Sequence, residues 1–211
     1  MGLRDAVTAR MARQLGHPRG LPGRAIGSML NKGNRATVTA AVDALDLRAG
    51  EAAADLGFGG GVGLGLLLDR VGTTGQVNGV EISTVMLGSA ARRYRAARTA
   101  GRLHLHPGSL TDLPLGTGSI DAAMTVNTIY FVADLDRALG ELARVLAPRG
   151  RLVVGLGDPA AMAAMPFTAY GFQLRPVDDV TTAATAAGLT VRDHRRVGTG
   201  DHAFHLLLAG R

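Results

Sequence analysis

The stretch from Glu51 to Leu68 constrains the fold more than any other part of the chain. An apolar run at 52–56 holds one acid, Asp55, and then breaks into alternate glycines before an apolar helical pattern resumes at Val62. This order predicts a strand, a tight turn and a helix. Glycine adopts positive φ and lacks a Cβ, so such a turn brings its backbone close to a flat or charged ligand.

The spacing of these glycines separates two classes of ligand. A dinucleotide fold has the pattern G-x-G-x-x-G, and the chain carries Val62 or Leu64 where the third glycine belongs. A nicotinamide-dependent reductase is therefore the least favoured reading, and a glycine-rich hairpin or linker is the non-functional alternative. The pattern D-x-G-x-G-x-G of Asp55–Gly61 resembles the first motif of class I S-adenosylmethionine-dependent methyltransferases. Its carboxylate suits the ammonium of that ligand and would repel a pyrophosphate.

Length and composition predict one domain with a substantial core. The chain has 211 residues, of which 46% are hydrophobic, and it has no cysteine, which excludes disulfides, thiolate nucleophiles and cysteine metal sites. We predict a single domain over 1–211, with a helical cap or lid at 1–47, including a lid at 16–34, and a cofactor-binding core at 48–211. No apolar run approaches the roughly 18 residues of a membrane span, and residues 1–13 lack a signal-peptide core, so we expect a cytoplasmic protein.

The net charge of +6 invites a nucleic-acid reading, which the distribution of the charge does not favour. Lys32 is the only lysine, and the densest arginine cluster lies at 92–98 on one predicted helix, as expected of a solvated helix face. Aromatic residues make up only 4% of the chain, too few for a stacking platform. His104 and His106 share a face of a predicted strand without a third ligand nearby, so we predict no metal site.

The strand predicted at 76–80 ends in Glu81, about 20 residues after the glycine loop. In the methyltransferases that this chain resembles, an acid at this place accepts the two ribose hydroxyls, and an apolar residue at the place of Met86 contacts the adenine. Ser109 stands where many members carry an aspartate that binds the adenine amino group, and Asp112 is an alternative acceptor there. A serine hydroxyl accepts one hydrogen bond but carries no charge.

The end of the fourth predicted strand supplies the remaining polar groups. Asn127 follows Val126 at the carboxyl edge of the sheet, where ligands of open α/β sheets bind, and we expect it to meet the methionine portion. Tyr130 and Phe131 suit either a ligand wall or an aromatic pair buried under the next helix. The irregular, aromatic stretch at 158–173 is predicted to be a substrate-facing insertion.

The resemblance covers the whole chain, most strongly residues 50–155, and implies a doubly wound α/β fold with a mostly parallel seven-stranded sheet. The expected cofactor-binding residues are Asp55, Gly57, Phe58, Gly59, Gly61, Glu81, Ile82, Met86, Ser109, Leu110, Asn127 and Thr128. The expected substrate-binding residues are Asn31, Asn34, Tyr130 and Phe131. No spacing selects a general base, and the candidates are Tyr130, His17, Asp158, Tyr170 and His194.

The function that the resemblance implies is methyl transfer from S-adenosylmethionine to a small-molecule acceptor. Two alternatives stay open: methylation of RNA or protein, and binding of S-adenosylmethionine without methyl transfer. The sequence leaves the acceptor atom and the oligomeric state undetermined.

Overall fold

The computed structural model describes residues 34–199 and 203–211, together with Asp5, Thr8 and Ala12. Seven strands in this part of the chain form one sheet in the order β3-β2-β1-β4-β5-β7-β6. They are β1 (Ala52–Leu56), β2 (Gln76–Glu81), β3 (Leu103–Pro107), β4 (Ile120–Val126), β5 (Leu146–Gly157), β6 (Thr190–Val197) and β7 (Phe204–Gly210). Only β7 runs antiparallel to its neighbours β5 and β6, and the pairs among β1 to β5 are parallel.

Helices cover both faces of the sheet. The α-helices of the described residues are α1 (Arg35–Ala44), α2 (Val62–Val71), α3 (Thr84–Arg93), α4 (Arg95–Thr99), α5 (Leu135–Val145), α6 (Pro159–Ala163) and α7 (Val177–Ala186). Short 3-10 turns span Ile129–Phe131 and Pro166–Ala169. In β1, Ala53 packs into the core under α1, α2 and α3, whereas Ala54 and Leu56 pack into the core under α5 and α7. This alternation explains why the strand reads as a continuous apolar run in the sequence.

The doubly wound, mostly parallel fold predicted from the sequence is confirmed. The bounds predicted for β1 are those observed, and α2 begins at the predicted Val62. The helix predicted to run from Ser83 to about Arg98 is interrupted at Tyr94, whose backbone leaves the helical region at φ −106° and ψ 30°. The Tyr94 hydroxyl donates a hydrogen bond to the Gly61 carbonyl at 2.8 Å, so the interruption carries this side chain back to the glycine loop.

Helix α1 belongs to the packed layer of the domain, although the sequence division placed it in the cap. Ala41, Val42 and Leu45 at and just after the helix are buried, and the helix packs against α2 and the sheet. The predicted lid at 16–34 lies outside the described residues, apart from Asn34. No helix in the described part of the chain is long and apolar enough to cross a membrane.

The chain reverses its winding direction at β1. From β1 it proceeds through β2 to the edge strand β3, and then it crosses back so that β4 pairs with the other side of β1. Loops that leave β1 and β4 therefore diverge to opposite faces and open a crevice at the carboxyl ends of these strands. The residues with predicted functional roles lie around this crevice.

Candidate functional site

A cavity of about 420 Å³ opens above the carboxyl ends of β1, β2, β4 and β5. Ten of the twelve predicted cofactor-binding residues line it: Asp55, Gly57, Phe58, Gly59, Glu81, Ile82, Ser109, Leu110, Asn127 and Thr128. Asn34, Tyr130 and Phe131 of the predicted substrate group and Asp158 of the candidate bases line it as well. The fold therefore brings together residues that are up to 124 positions apart in the sequence.

The glycine loop between β1 and α2 forms the floor of the cavity. Gly57 has φ +81°, and a Cβ on it would collide with the Thr128 side chain. Gly59 has φ +50°, and a Cβ on it would meet no atom within 4 Å, because this residue faces open space. A glycine is thus needed at 57 for a close approach to the β4 loop and at 59 for its backbone conformation.

Glu81, at the end of β2, holds this loop in place. Its Oε2 accepts a hydrogen bond from the backbone nitrogen of Gly59 at 2.9 Å, and its Oε1 accepts one from that of Ser83 at 2.9 Å. The residue is 7% exposed and lines the cavity. Each carboxylate oxygen has two lone pairs, so the side chain can accept further hydrogen bonds from a ligand.

Asp55 is a buried carboxyl group at the cavity wall. It is 4% exposed, and no described residue donates a hydrogen bond to it. Burial, together with the nearby negative charge of Glu81, raises the pKa of Asp55 to about 8. Gly63, in the first turn of α2, lies so close that a Cβ there would collide with Asp55 and with Met124. The structure thus keeps a carboxyl group where a positive charge would be strongly stabilised.

The two loops after β3 and β4 close the crevice. Asn127 has φ +58°, a left-handed conformation that asparagine tolerates better than most residues, and its backbone nitrogen donates to the Gly155 carbonyl at 2.9 Å. Ser109 lines the cavity, and its hydroxyl accepts a hydrogen bond from the Thr111 backbone nitrogen at 3.2 Å. Asp112 is exposed and does not line the cavity, so Ser109 is the polar side chain at this wall of the crevice.

Tyr130 is buried, and its hydroxyl oxygen accepts a hydrogen bond from the Gly157 backbone nitrogen. Burial raises the pKa of the Tyr130 phenol well above its ordinary value. The hydroxyl therefore keeps its proton at physiological pH, which makes Tyr130 a hydrogen-bond donor and a poor general base.

The half of the cavity beyond Tyr130 is apolar and aromatic. The rings of Phe131 and Phe172 lie 4.7 Å apart edge to face, and Phe167 lies 5.5 Å from Phe172. Met162 and Met165 complete this aromatic wall, which we define as Phe131, Phe167, Phe172, Met162 and Met165. Four of these five residues come from the irregular stretch at 158–173, as its aromatic composition indicated. The lining by Met162 and Met165 was not foreseen, because methionines there carry no motif.

Asp158 joins the cavity to the outer strands. Its Oδ1 accepts hydrogen bonds from the backbone nitrogens of Ala160 and Ala161 at 3.1 Å each and so caps α6. Its Oδ2 lies 3.2 Å from Nε2 of His205, and Nδ1 of His205 lies 2.8 Å from Nε2 of His194. A carboxylate can only accept, so Nε2 of His205 carries a hydrogen, and in a neutral His205 Nδ1 accepts from His194. These hydrogen bonds lower the pKa of Asp158, that from Ala161 most and that from His205 next.

Several predicted residues lie elsewhere. Met86 is buried in the core cluster that also contains Phe58 and does not line the cavity, and neither does Gly61, whose carbonyl accepts a hydrogen bond from Tyr94. Tyr170 and His194 do not line the cavity either, although His194 reaches Asp158 through His205. His17 and Asn31 lie outside the described residues. His205 was missed because its partners are 47 and 11 positions away, and only the strand pairing brings them together.

Comparison with known proteins finds similarity to methyltransferases. A family model described as a methyltransferase domain matches residues 54–154. An uncharacterized 37.1 kDa protein in transposon TN4556 of Streptomyces fradiae is 44% identical over 117 residues, which are 56% of this chain and 33% of that protein. A 2-phytyl-1,4-naphtoquinone methyltransferase of Trichormus variabilis is 34% identical over 105 residues, 50% of this chain and 46% of that protein. The chain thus spans less than half the length of these relatives.

Solved structures share the fold of this chain. A SAM dependent methyltransferase from Aquifex aeolicus superposes with a TM-score of 0.72 over 88% of this chain and 97% of that chain, at 20% identity. At this identity the likeness is one of fold.

Proposed function

Since the chain belongs to the class I S-adenosylmethionine-dependent methyltransferases, we propose that it binds S-adenosylmethionine in the cavity and transfers the methyl group to a small-molecule acceptor. The methyltransferase family predicted from the sequence is confirmed, and the acceptor class is the part that we propose. The cavity divides into a polar half around β1 and β2 and an apolar half around β4 and β5.

The observation that carries the proposal is the joint position of Asp55, Glu81 and the glycine loop on one cavity. The two carboxyl groups lie at the carboxyl ends of neighbouring strands, and Glu81 is hydrogen-bonded to Gly59 of the loop. A ligand with a cationic end and a diol fits this set, whereas a pyrophosphate would face two carboxyl groups. The dinucleotide alternative is therefore poorly supported by the site.

The residues present fit S-adenosylmethionine group by group. Asp55, to which no described residue donates a hydrogen bond, would bind the ammonium. Glu81 would accept hydrogen bonds from the ribose hydroxyls with its remaining lone pairs. Ser109 and Leu110 would lie along the adenine, and Asn127 near the methionine portion. These assignments are part of the proposal.

The bound cofactor supplies a methyl group on a positively charged sulfur, which is already a good leaving group. The task left to the protein is to align the acceptor with the methyl group and to exclude water. The aromatic wall supplies an apolar surface for the acceptor. Tyr130 stays protonated and can orient a polar group of the acceptor by donating a hydrogen bond.

A small-molecule acceptor is supported by the shape and chemistry of the apolar half. The aromatic wall and Tyr130 line a cavity, which suits the body of a small apolar molecule better than a flat or basic surface would. The Trichormus variabilis relative is named for a naphthoquinone substrate, a molecule of this kind.

The test has two stages. Calorimetry should show binding of S-adenosylmethionine and S-adenosylhomocysteine and no binding of NAD or NADP. Incubation with methyl-labelled cofactor and, separately, small-molecule extract, total RNA and total protein should then place the label in the small-molecule fraction. Label in RNA or protein would overturn the proposed acceptor class, and binding without label in any fraction would favour a binding protein that transfers no methyl group.

A further inference from the structure

Two side chains that line the apolar half of the cavity have opposite hydrogen-bonding roles. Tyr130 contributes a hydroxyl whose oxygen already accepts from the Gly157 nitrogen, and no described residue accepts its hydrogen. Asp158, the next residue after Gly157, contributes a carboxylate. The cavity thus presents one donor and one acceptor from neighbouring points of the wall.

The Asp158 carboxylate is held in place on three sides. Two backbone N–H groups at the start of α6 fix Oδ1, and His205 fixes Oδ2 at 3.2 Å. Arg196 approaches Oδ2 at 3.8 Å from the exposed strand β6. None of these contacts uses all the lone pairs of Oδ2, so one direction remains for a ligand. Among the described lining residues, the ionisable groups are Asp55, Glu81, Asp158 and Tyr130, three carboxyl groups and one phenol.

We propose that the acceptor carries a hydroxyl group on an apolar body, and that this hydroxyl is held between Tyr130 and Asp158 and is the atom methylated. The proposal rests on the proposed function. A hydroxyl donates its hydrogen to Asp158, accepts from Tyr130 with one lone pair and keeps a second lone pair for the methyl group. A neutral amine would use its single lone pair to accept from Tyr130 and would keep none for the methyl group. A protonated amine has no lone pair, and a carboxylate would be repelled by Asp158.

The transfer step balances with these groups. The hydroxyl oxygen forms a bond to the methyl carbon, the carbon–sulfur bond breaks with its electron pair going to sulfur, and the hydroxyl proton passes to the Asp158 carboxylate. The hydrogen bonds from α6 and His205 keep the pKa of Asp158 low, so the proton then leaves to water. His205 is a positioning residue in this scheme, because it touches Asp158 and does not line the cavity.

Three naphthalene probes test the proposal on protein saturated with S-adenosylhomocysteine, which occupies the polar half. 2-Naphthol can donate and accept, 2-methoxynaphthalene can only accept, and 2-naphthoate is anionic. The wild type should bind 2-naphthol about tenfold more tightly than 2-methoxynaphthalene, as expected for one hydrogen bond to a charged group. It should bind 2-naphthoate most weakly.

The variants separate the two contacts. Asp158→Asn keeps an oxygen for the α6 cap but loses the charge. The affinity for 2-naphthol should therefore fall about tenfold, while the affinity for 2-methoxynaphthalene stays unchanged and that for 2-naphthoate rises. Tyr130→Phe should weaken 2-naphthol and 2-methoxynaphthalene alike. Two variants serve as controls. Asp134→Asn removes the same charge at the cap of α5, and Tyr170→Phe removes a hydroxyl outside the cavity. Both should bind the three probes with the affinities of the wild type.

The outcomes distinguish the two proposals. Absence of S-adenosylhomocysteine binding contradicts the proposed function. With that ligand bound, equal affinity of the wild type for the three probes, or an unchanged preference for 2-naphthol in Asp158→Asn, overturns the hydroxyl assignment alone. If Tyr130→Phe does not fold, the affinities of Asp158→Asn for the three probes still test the hydroxyl assignment.

Discussion

Oε2 of Glu81 lies 2.9 Å from the backbone nitrogen of Gly59, so the acid that ends β2 is hydrogen-bonded to the loop that follows β1. The contact spans 22 positions in the sequence. Glu81 therefore holds the glycine loop, and the ribose contact that we propose for it is a second, separable role.

Glu81→Ala should weaken S-adenosylhomocysteine binding by about 1.5 to 3 kcal/mol, because it removes a charged acceptor from a buried site. The proposed ribose contact can be tested separately with adenosine and 2′,3′-dideoxyadenosine as paired ligands in calorimetry. If Glu81 binds the diol, the variant should lose affinity for adenosine and lose much less for the dideoxy compound. An equal loss for both ligands would assign Glu81 to the loop alone.

Asp55 gives the protein a pH-dependent stability of defined sign. Its pKa is about 8 in the folded protein and near 3.8 when exposed, so between these values the folded state binds one more proton than the unfolded state. The free energy of unfolding therefore falls as pH rises, by up to about 1.4 kcal/mol per pH unit. The stability that the protonated Asp55 contributes is fully present below about pH 4 and is lost by about pH 8.

Asp55→Asn should remove this dependence. Urea denaturation at pH 5 and pH 7.5 should show the stability of the variant, relative to the wild type, increasing by up to about 3 kcal/mol over this range. Asp69→Asn, which replaces an exposed aspartate on α2, serves as the matched control. A constant difference between Asp55→Asn and the wild type would mean that Asp55 is ionised in the folded protein throughout.

The sequence was sufficient where each signal was local. β1 is an apolar run that ends in glycine, and α2 begins where the glycines stop, so both bounds were predictable. That Asp55 and Glu81 would lie close together was predictable, because they sit at the carboxyl ends of neighbouring parallel strands, which share one edge of the sheet.

The sequence was insufficient where contacts depend on tertiary packing. Nothing near Tyr94 indicates that its hydroxyl reaches Gly61, 33 positions away, and this contact accompanies the break between α3 and α4. The link from Asp158 to His205 requires the register of β7 against β5, in which His205 pairs with Leu156. An antiparallel β6–β7 pair was predictable, but its register was not, since both strands lack a clear alternation.

His205 should tune the carboxylate that it contacts. His205→Ala removes the N–H that donates to Asp158, while the backbone donors of Ala160 and Ala161 remain. The pKa of Asp158 should therefore rise part of the way back toward its ordinary value of 3.8. Carbon-13 NMR of the aspartate carboxyl groups over a pH titration measures this directly. His104→Ala, on the far edge strand β3, should leave the pKa of Asp158 unchanged.

Gly59 and Gly101 form a matched pair for separating strain from ligand contact. Both have positive φ, +50° and +70°, and a Cβ on either would meet nothing within 4 Å. Gly59 lines the cavity, whereas Gly101 is exposed after α4. A valine at either position should cost roughly 1–3 kcal/mol of stability, because a β-branched residue is strained in this conformation.

Only Gly59→Val should also abolish binding of S-adenosylmethionine, since its side chain would project into the space above the loop where the ligand approaches. Thermal melting measures the loss of stability that the two variants share, and calorimetry of each folded variant measures how their affinities for S-adenosylmethionine differ. Gly101→Val should bind like the wild type. Retained binding by a folded Gly59→Val protein would mean that no part of the cofactor approaches this point of the loop, and the proposed placement between Asp55 and Glu81 would have to be abandoned.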